Sequence, residues 1–205
     1  MSCSIRRLVS GGAALTIALA LGVLAGCVGT RGVVEDIRYD FGPPAPLAAA
    51  STMPAVKVLD VTAPESLSTD NLNYRLGFAD AQRLASYSGS HWTMPPSQLL
   101  TQRLRIALSS HGTVLTGADG VHAPVLRVDL QEFEQVFDGQ ADSHGAVTAR
   151  ATLFQDGKVI GQRTFIARAP ASSPDAEGGA RALAAASDDL VAQVINWVGT
   201  QPLHA

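Results

Sequence analysis

The side chains that could do acid–base or metal chemistry are few and scattered along this chain of 205 residues. Glu132 and Glu134 lie two residues apart, so on a strand their carboxylates would share one face, as a general acid and its base can. Nothing nearby in the sequence would tune them, and a solvated sheet face is the better interpretation. The five histidines show no spacing typical of a metal site, and we expect polar side chains rather than ligands: His91, His111, His122, His144 and His204.

The motifs of common enzyme classes do not occur in the sequence. There is no glycine-rich phosphate loop followed by Lys-Ser or Lys-Thr, so the chain does not resemble an ATPase. There is also no Gly-x-Ser-x-Gly elbow of the kind that presents a nucleophilic serine. We therefore expect a protein that is not an enzyme and that holds no cofactor and no metal.

One residue does have an expected chemistry, and it is Cys27. A basic start with Arg6 and Arg7, a short apolar run and small residues before a cleavage point predict a secretory signal peptide over residues 1–26. The run is too short for a comfortable membrane span, which needs ~20 residues. The stretch Leu24-Ala25-Gly26-Cys27 resembles the lipobox of bacterial lipoproteins, which implies that Cys27 is lipidated and becomes the first mature residue. The alternatives are an ordinary secretory peptide, or an uncleaved anchor, with a chance cysteine.

A lipidated Cys27 would fix the compartment of the protein. The resemblance implies more than one acyl chain, and more than one chain gives stable anchoring. Val28 stands where an aspartate would be the usual signal for retention in the inner membrane, so we expect a periplasm-facing protein in the outer membrane. Because Cys3 would leave with the signal peptide, no disulfide is possible within the mature chain.

The charge of the chain excludes one class of partner. The formal net charge is −3, and loss of Arg6 and Arg7 would make the mature chain more acidic. A nucleic-acid binder normally carries a basic patch, so we expect no nucleic acid among the partners. No other apolar run is long enough to span a membrane, so the chain is not expected to be a permease.

The composition divides the mature chain into two parts. Residues 27–54 are rich in Gly, Pro and Ala and predict a flexible tether, within which residues 37–41 could form a first edge strand. A folded domain is expected over residues 55–200.

The patterns within that domain predict an α+β fold. One helix should begin at Pro95-Pro96 and end near Gly112, and a second should follow Ser173, its predicted N-cap. We expect a bulge near Glu132 and a tight hairpin at Asp156-Gly157. Strands are predicted over residues 56–61, 72–76, 84–87, 125–137, 147–153 and 159–168. The expected domain is a mostly antiparallel sheet of about six strands with two helices packed on one face.

A few aromatic residues could serve either the core or a partner. Core packing is the expected role of Tyr74, Trp92, Phe133 and Phe137, since such residues are more often buried. The alternative is a partner surface, because exposed apolar patches tend to mark interfaces.

The order of several short motifs resembles a known family. A lipobox and a Pro-rich tether precede the predicted strand Val56-Lys57-Val58, which leads to Ala63-Pro64. Tyr74-Arg75 follows. Trp92 then stands just before Pro95-Pro96, where a helix is predicted to begin. This order resembles the ABC-type transport auxiliary lipoprotein family, and the similarity extends over nearly the whole mature chain.

The resemblance implies a function and partners. Members of the family accompany lipid-transport systems built from an ABC transporter and MCE-domain proteins, including the paraquat-inducible type. The expected function is therefore a non-enzymatic, lipid-anchored accessory subunit that tethers such a complex to the outer membrane, with a homo-oligomer as a further possibility. The alternative is a lipoprotein that itself binds and carries a lipid or another apolar ligand. The candidate partner contacts are Tyr74, Arg75, Trp92, Phe133 and Phe137.

Overall fold

The structure is a computed structural model that describes residues 36–44 and 53–204. These residues form an α+β domain, which confirms the predicted fold class. Its elements, in chain order, are β1 (Ile37–Tyr39), β2 (Val56–Val58), a 3-10 helix (Glu65–Leu67), β3 (Asn71–Leu76), β4 (Leu84–Trp92), α1 (Pro96–Ser109), β5 (Val114–Leu115), β6 (Val125–Phe137), β7 (Ser143–Gln155), β8 (Lys158–Pro170) and α2 (Ala176–Gly199).

Three long strands form the central part of the sheet. β6, β7 and β8 have 13 residues each and pair antiparallel along nearly their whole length. In the first half of β6 the apolar residues alternate, and Leu126, Val128 and Leu130 are buried. The register then shifts between Leu130 and Glu132, which confirms the predicted bulge and brings Phe133 to the buried face.

The hairpin between β7 and β8 is also confirmed. Asp156 and Gly157 have φ angles of 51° and 74°, so both residues adopt the left-handed conformation of a type I′ turn. That turn matches the twist of the strands it joins, and Gly adopts it without a steric penalty.

β6 is the strand from which the rest of the sheet extends. β7 pairs with one edge of β6, so β2 and β3 must share the other edge: β2 lies beside Val125 and Leu126, and β3 lies beside residues 135–137. β5 extends the sheet from β2, while β4 and then β1 extend it from β3.

The sheet is mixed, and it has more strands than predicted. Four of the seven strand pairs are parallel, but these are the short ones, so antiparallel pairing still dominates by length. The described residues contain eight strands instead of about six. The two-residue β5 was not predicted. β1 lies inside the range 27–54 predicted as a tether, within residues 37–41, where the sequence allows a first edge strand. Phe41, which follows β1, is buried in the core.

The two helices cover one face of the sheet. α1 begins with Pro96 at its first turn, as predicted. α2 is capped by Asp175, whose carboxylate accepts a hydrogen bond of 2.8 Å from the Gly178 N–H, so the prediction of Ser173 as the cap is wrong. The Ser173 hydroxyl instead donates to Asp175, because the carboxylate reaches the open N–H group at the first turn.

The close contact between α2 and the sheet depends on a residue without a side chain. A Cβ atom at Gly145 in β7 would lie 2.5 Å from the carbonyl carbon of Ala182 and 2.6 Å from the nitrogen of Leu183. The neighbouring strand and helix positions carry small side chains that are fully or nearly fully buried, among them Ala149, Ala151 and Ala186. The helix backbone therefore packs almost directly on the strand.

A search for membrane-spanning helices in the described part of the chain finds none of sufficient length and apolar character.

The close contact at Gly145 gives a testable prediction. Gly145→Ala should lower the free energy of unfolding by about 1–3 kcal/mol, because the added methyl group must push the α2 backbone off the sheet. Gly120→Ala is the matched control, since nothing lies within 4 Å of its added Cβ. Urea unfolding followed by circular dichroism measures both. A Gly145→Ala protein as stable as Gly120→Ala would contradict the packing described above.

Candidate functional site

Three of the candidate contact residues lie in the core. Trp92 is 0% exposed, Phe133 1% and Phe137 6%. Phe41 joins two of them in an aromatic cluster: its ring centroid lies 5.8 Å from that of Trp92 and 5.9 Å from that of Phe133. Edge-to-face and offset contacts at such distances stabilise a core. The structure therefore buries Trp92, Phe133 and Phe137, which agrees with the expected core packing.

Tyr74 belongs to a second aromatic cluster, which is only half-buried. Its ring centroid lies 4.7 Å from that of Tyr87 and 6.1 Å from that of Phe137. The Tyr87 hydroxyl donates a hydrogen bond of 2.9 Å to the Gln135 side chain. Burial, with a contribution from the negative charge of Asp175, raises the pKa of Tyr87 to about 12. At neutral pH Tyr87 is therefore a neutral donor that supports the cluster.

Arg75 is held in a bidentate ion pair. Its Nε lies 2.5 Å from Glu134 Oε1, and its Nη2 donates a hydrogen bond of 2.9 Å to Glu134 Oε2. Its Nη1 donates to the Ala81 carbonyl at 2.8 Å. The hydrogen bond to Glu134 raises the pKa of the Arg75 guanidinium above its ordinary value. The side chain is 25% exposed, so it links β3 to β6 and leaves only part of its surface to solvent.

The two glutamates considered as an acid–base pair are each paired with an arginine. Glu132 accepts a hydrogen bond of 2.9 Å from Arg168 and one of 2.5 Å from the Thr148 hydroxyl, and Glu134 is held by Arg75. Both carboxylates are thus occupied by partners within this chain. The two carboxylates therefore stabilise the sheet face opposite the helices.

The histidines of the described residues do not form a metal site. His144 Nδ1 lies 2.7 Å from Asp138 Oδ2, and His91 Nε2 lies 3.7 Å from Asp36 Oδ1. Within residues 36–44 and 53–204, no group of three or more His, Cys, Asp or Glu side chains is arranged to hold a metal ion.

An open groove of about 480 Å³ lies where β6 begins. Lys57 and Asp119 form an ion pair of 3.0 Å at its wall, and the Arg127 guanidinium lies 5.4 Å from the centre of the Phe154 ring. Both cations are engaged by groups of this chain. The groove is open to solvent, unlike the enclosed apolar cavity in which a carrier protects a lipid chain.

The most extensive polar contacts of the described domain hold its N-terminal strand. Arg38 in β1 donates a hydrogen bond of 2.9 Å to Asp70 and one of 3.3 Å to the Trp92 carbonyl. The hydrogen bond from Arg38 lowers the pKa of Asp70 below its usual value.

A buried arginine from α1 holds the residues that follow β1. Arg103 Nη2 donates hydrogen bonds of 2.7 Å to the carbonyls of both Phe41 and Gly42, and its Nη1 lies 3.3 Å from Asp188 Oδ1 in α2. Burial raises the pKa of Asp188, while the charge of Arg103 opposes that rise. Arg103 thus joins β1 to both helices. We call the contacts of Arg38 and Arg103 the N-terminal clamp.

Sequence reasoning missed both residues of this clamp. Arg103 lies three residues after Leu100 on the apolar stripe of α1, and a charged residue within such a stripe is the signal that could have revealed it. Cys27, the predicted lipidation site, lies outside the described residues.

Comparisons with known proteins agree on fold and family. Two crystal structures share the fold. One is of a protein from Xanthomonas campestris, with a TM-score of 0.66 and 22% identity, and the match covers 79% of this chain and 91% of that chain. The other is of an uncharacterized protein, with a TM-score of 0.64 and 17% identity, and the match covers 80% of this chain and 99% of that chain. A hypothetical protein from Chlamydia trachomatis is similar at a TM-score of 0.50, with 11% identity and coverage of 73% and 96%. No curated protein matches the chain. The family model described as "ABC-type transport auxiliary lipoprotein component" matches residues 39–195.

The N-terminal clamp gives a testable prediction. Arg103→Ala should lower the free energy of unfolding by about 2–3 kcal/mol, because the carbonyls of Phe41 and Gly42 lose a charged donor and Asp188 loses its partner. Hydrogen exchange of residues 37–42 should accelerate more than that of β7. Arg181→Ala is the control, since its ion pair with Glu177 on the surface of α2 should change stability by no more than about 0.5 kcal/mol. Equal stability of the two variants would contradict the clamp.

Proposed function

Because a family model covers residues 39–195, the chain belongs to the ABC-type transport auxiliary lipoprotein family, and we propose that it is the non-enzymatic, lipid-anchored accessory subunit of an ABC/MCE-type lipid transport system. It faces the periplasm and tethers the transport complex to the outer membrane through acylated Cys27. The partners in this proposal are an MCE-domain protein and the associated ABC transporter components. The family match is the observation that carries the proposal.

The position of Cys27 in the sequence supports a short connection to the membrane. Cys27 stands directly after the proposed signal peptide, residues 1–26, and β1 begins at Ile37. At most ~3.5 Å per residue, the chain between them spans no more than about 35 Å. Although residues 27–54 were assigned to the tether, the anchored domain would therefore be held through β1 and close to its membrane.

The N-terminal clamp supports the same function. A tether transmits a pull only if the domain is firmly joined to it, and Arg38 and Arg103 fasten β1 and the following turn to β4, α1 and α2. Holding a domain near its partner raises its effective concentration into the millimolar range for short linkers. Tethering of this kind needs no catalytic group.

The anchor can be tested by removing the thiol. Cys27→Ala should move the protein from the membrane fraction to the soluble fraction, because the acyl chains can no longer be attached. Its thermal unfolding should equal that of the wild type. Cys3→Ala is the matched control and should stay with the membranes, since Cys3 lies within the proposed signal peptide. A Cys27→Ala protein that still sediments with membranes would overturn the anchoring.

The transport partners can be tested by affinity capture of the full-length protein from mildly solubilised envelopes of cells that express it natively. We expect recovery of an MCE-domain protein together with ABC transporter components, identified by mass spectrometry. Phe133 and Phe137 are unsuitable for mutation in this test, because they are buried and their replacement would destabilise the fold. Recovery of lipid without those proteins would contradict the accessory role and favour a lipid carrier.

A further inference from the structure

β8 is a long strand at the edge of the sheet. In the described part of the chain it pairs with β7 and with no other strand, over residues Lys158–Pro170. The other strands that end the sheet are β1, with three residues, and β5, with two. An edge strand presents a row of unpaired N–H and C=O groups, which is a template for another strand.

The ladder to β7 shows which backbone groups of β8 face outward. The Ala171 N–H donates a hydrogen bond of 2.9 Å to the Ser143 carbonyl, so this opposite pair is a hydrogen-bonded one. In an antiparallel ladder such pairs alternate with non-hydrogen-bonded pairs, whose N–H and C=O groups point to the other side. The register therefore turns four alternate residues of β8 outward, and these are Gln162, Thr164, Ile166 and Arg168.

The contacts of this outward edge agree with that assignment. Pro170 belongs to the same alternate set. Proline has no N–H to donate, and it is tolerated at this position because the N–H would point away from β7. The only side chain of α2 that reaches an outward carbonyl is Gln193, whose Nε2 lies 3.4 Å from the Ile166 oxygen. We call residues 162–168 of β8 the open edge.

Two devices that usually protect an edge, a proline and a register shift, flank the open edge, while the charged side chains of Arg163 and Arg168 lie within it. Pro170 stands after it, and the register shift between Leu153 and Phe154 stands before it. Between them Gln162, Thr164 and Arg168 are exposed, and Ile166 is 58% exposed. A long edge strand with an exposed isoleucine in its middle offers both open backbone groups and apolar surface to an added strand.

The charge of β8 indicates what kind of strand it accepts. Lys158, Arg163 and Arg168 are its charged residues, and it contains no Asp or Glu, although the whole chain has a formal net charge of −3. Arg168 is already paired with Glu132, so the cations that β8 offers to a partner are Lys158 and Arg163. Two copies pairing through β8 would bring like charges together, which is unfavourable on adjacent strands. An extended segment that carries carboxylates would be complementary.

The open edge also lies far from the point of attachment. In the strand order β1, β4, β3, β6, β7, β8, the first and last strands are at opposite ends of the sheet. With about 4.8 Å between neighbouring strands, roughly 24 Å separates β1 from β8. A domain held through β1 would thus leave β8 accessible.

We propose that the open edge of β8 is a docking site for an extended, acidic segment of a partner protein, which adds to the sheet as a ninth strand beside Thr164 and Ile166. Backbone hydrogen bonds would supply affinity, and the basic side chains of β8 would select carboxylates. This inference rests on the proposed function, since it names the surface through which an accessory subunit contacts its transport partner.

The direct test uses the full-length protein and two synthetic nine-residue peptides, one alternating Glu with Val and one alternating Lys with Val. Fluorescence anisotropy should show at least tenfold tighter binding of the Glu peptide. Hydrogen exchange should slow at the amides of Gln162, Thr164, Ile166 and Arg168 when that peptide is bound. Equal binding of both peptides, or no protection of these four amides at millimolar peptide, overturns the proposal.

A matched pair of variants locates the site. Thr164→Pro should weaken binding of the Glu peptide at least tenfold, because proline removes an outward N–H and blocks the edge. Thr164→Ala should bind as the wild type does. The Thr164 N–H is outside the ladder to β7, so both variants should keep the wild-type circular dichroism spectrum. Equal binding by the two folded variants overturns the proposal.

A charge reversal provides a second route if the proline variant does not fold. Arg163→Glu should weaken binding of the Glu peptide at least tenfold, whereas Arg181→Glu, on the exposed surface of α2, should not. A wild-type dimer in analytical ultracentrifugation that Thr164→Pro dissociates would instead assign the edge to a second copy of this chain. If the peptide tests fail while Cys27→Ala still releases the protein from membranes, this inference alone is overturned. If Cys27→Ala does not release the protein, the proposed function is overturned.

Discussion

The structure depends on the two edges of β6. One edge hydrogen-bonds to β7 from Val125 to Phe137, while β2 and β3 divide the opposite edge between them. A shift of β6 by one residue would turn Leu126 and Leu130 to solvent and bring Asp129 under the helices. The positions of four other strands follow from this one register, because β5, β4 and β1 extend the sheet from β2 and β3, and β8 extends it from β7.

The two faces of the sheet differ in polarity. α2 packs closely at Gly145, and apart from the buried Gln135 the residues of β6 on that face are apolar, while its charged residues occupy the opposite face. There Asp129 pairs with Arg150, Glu132 with Arg168 and Glu134 with Arg75. Partly exposed pairs of this kind add little stability one by one, but cross-strand charge pairs favour one register over its neighbours. The glutamates that resemble an acid–base pair in the sequence thus have a structural role.

The parts of the fold that the sequence predicts are those set by local interactions. The bulge before Glu132 and the turn at Asp156-Gly157 follow from side-chain alternation and from the φ angles that Asp and Gly tolerate. β5 has only two residues and is too short to leave a periodic signal. Ser173 and Asp175 are both good N-cap residues by type, and only the path of the chain before α2 decides that Asp175 is the cap. At the candidate site, the sequence favours a core position for Phe133 and Phe137 and leaves a partner surface as the alternative, since only the position of the helices decides which sheet face is covered.

The N-terminal clamp shows why long-range contacts of this kind escape sequence reasoning. Arg103 looks like a break in the apolar stripe of α1, and it is tolerated there because the Phe41 and Gly42 carbonyls and Asp188 surround its guanidinium. A buried charge without such partners would destabilise the domain, so the arginine and the turn after β1 need each other. The turn after β1 is therefore bound to the domain by the same contacts that satisfy the buried Arg103 guanidinium. Under the proposed function, an accessory subunit held through its N-terminus would use this coupling, and β8 lies at the opposite end of the sheet.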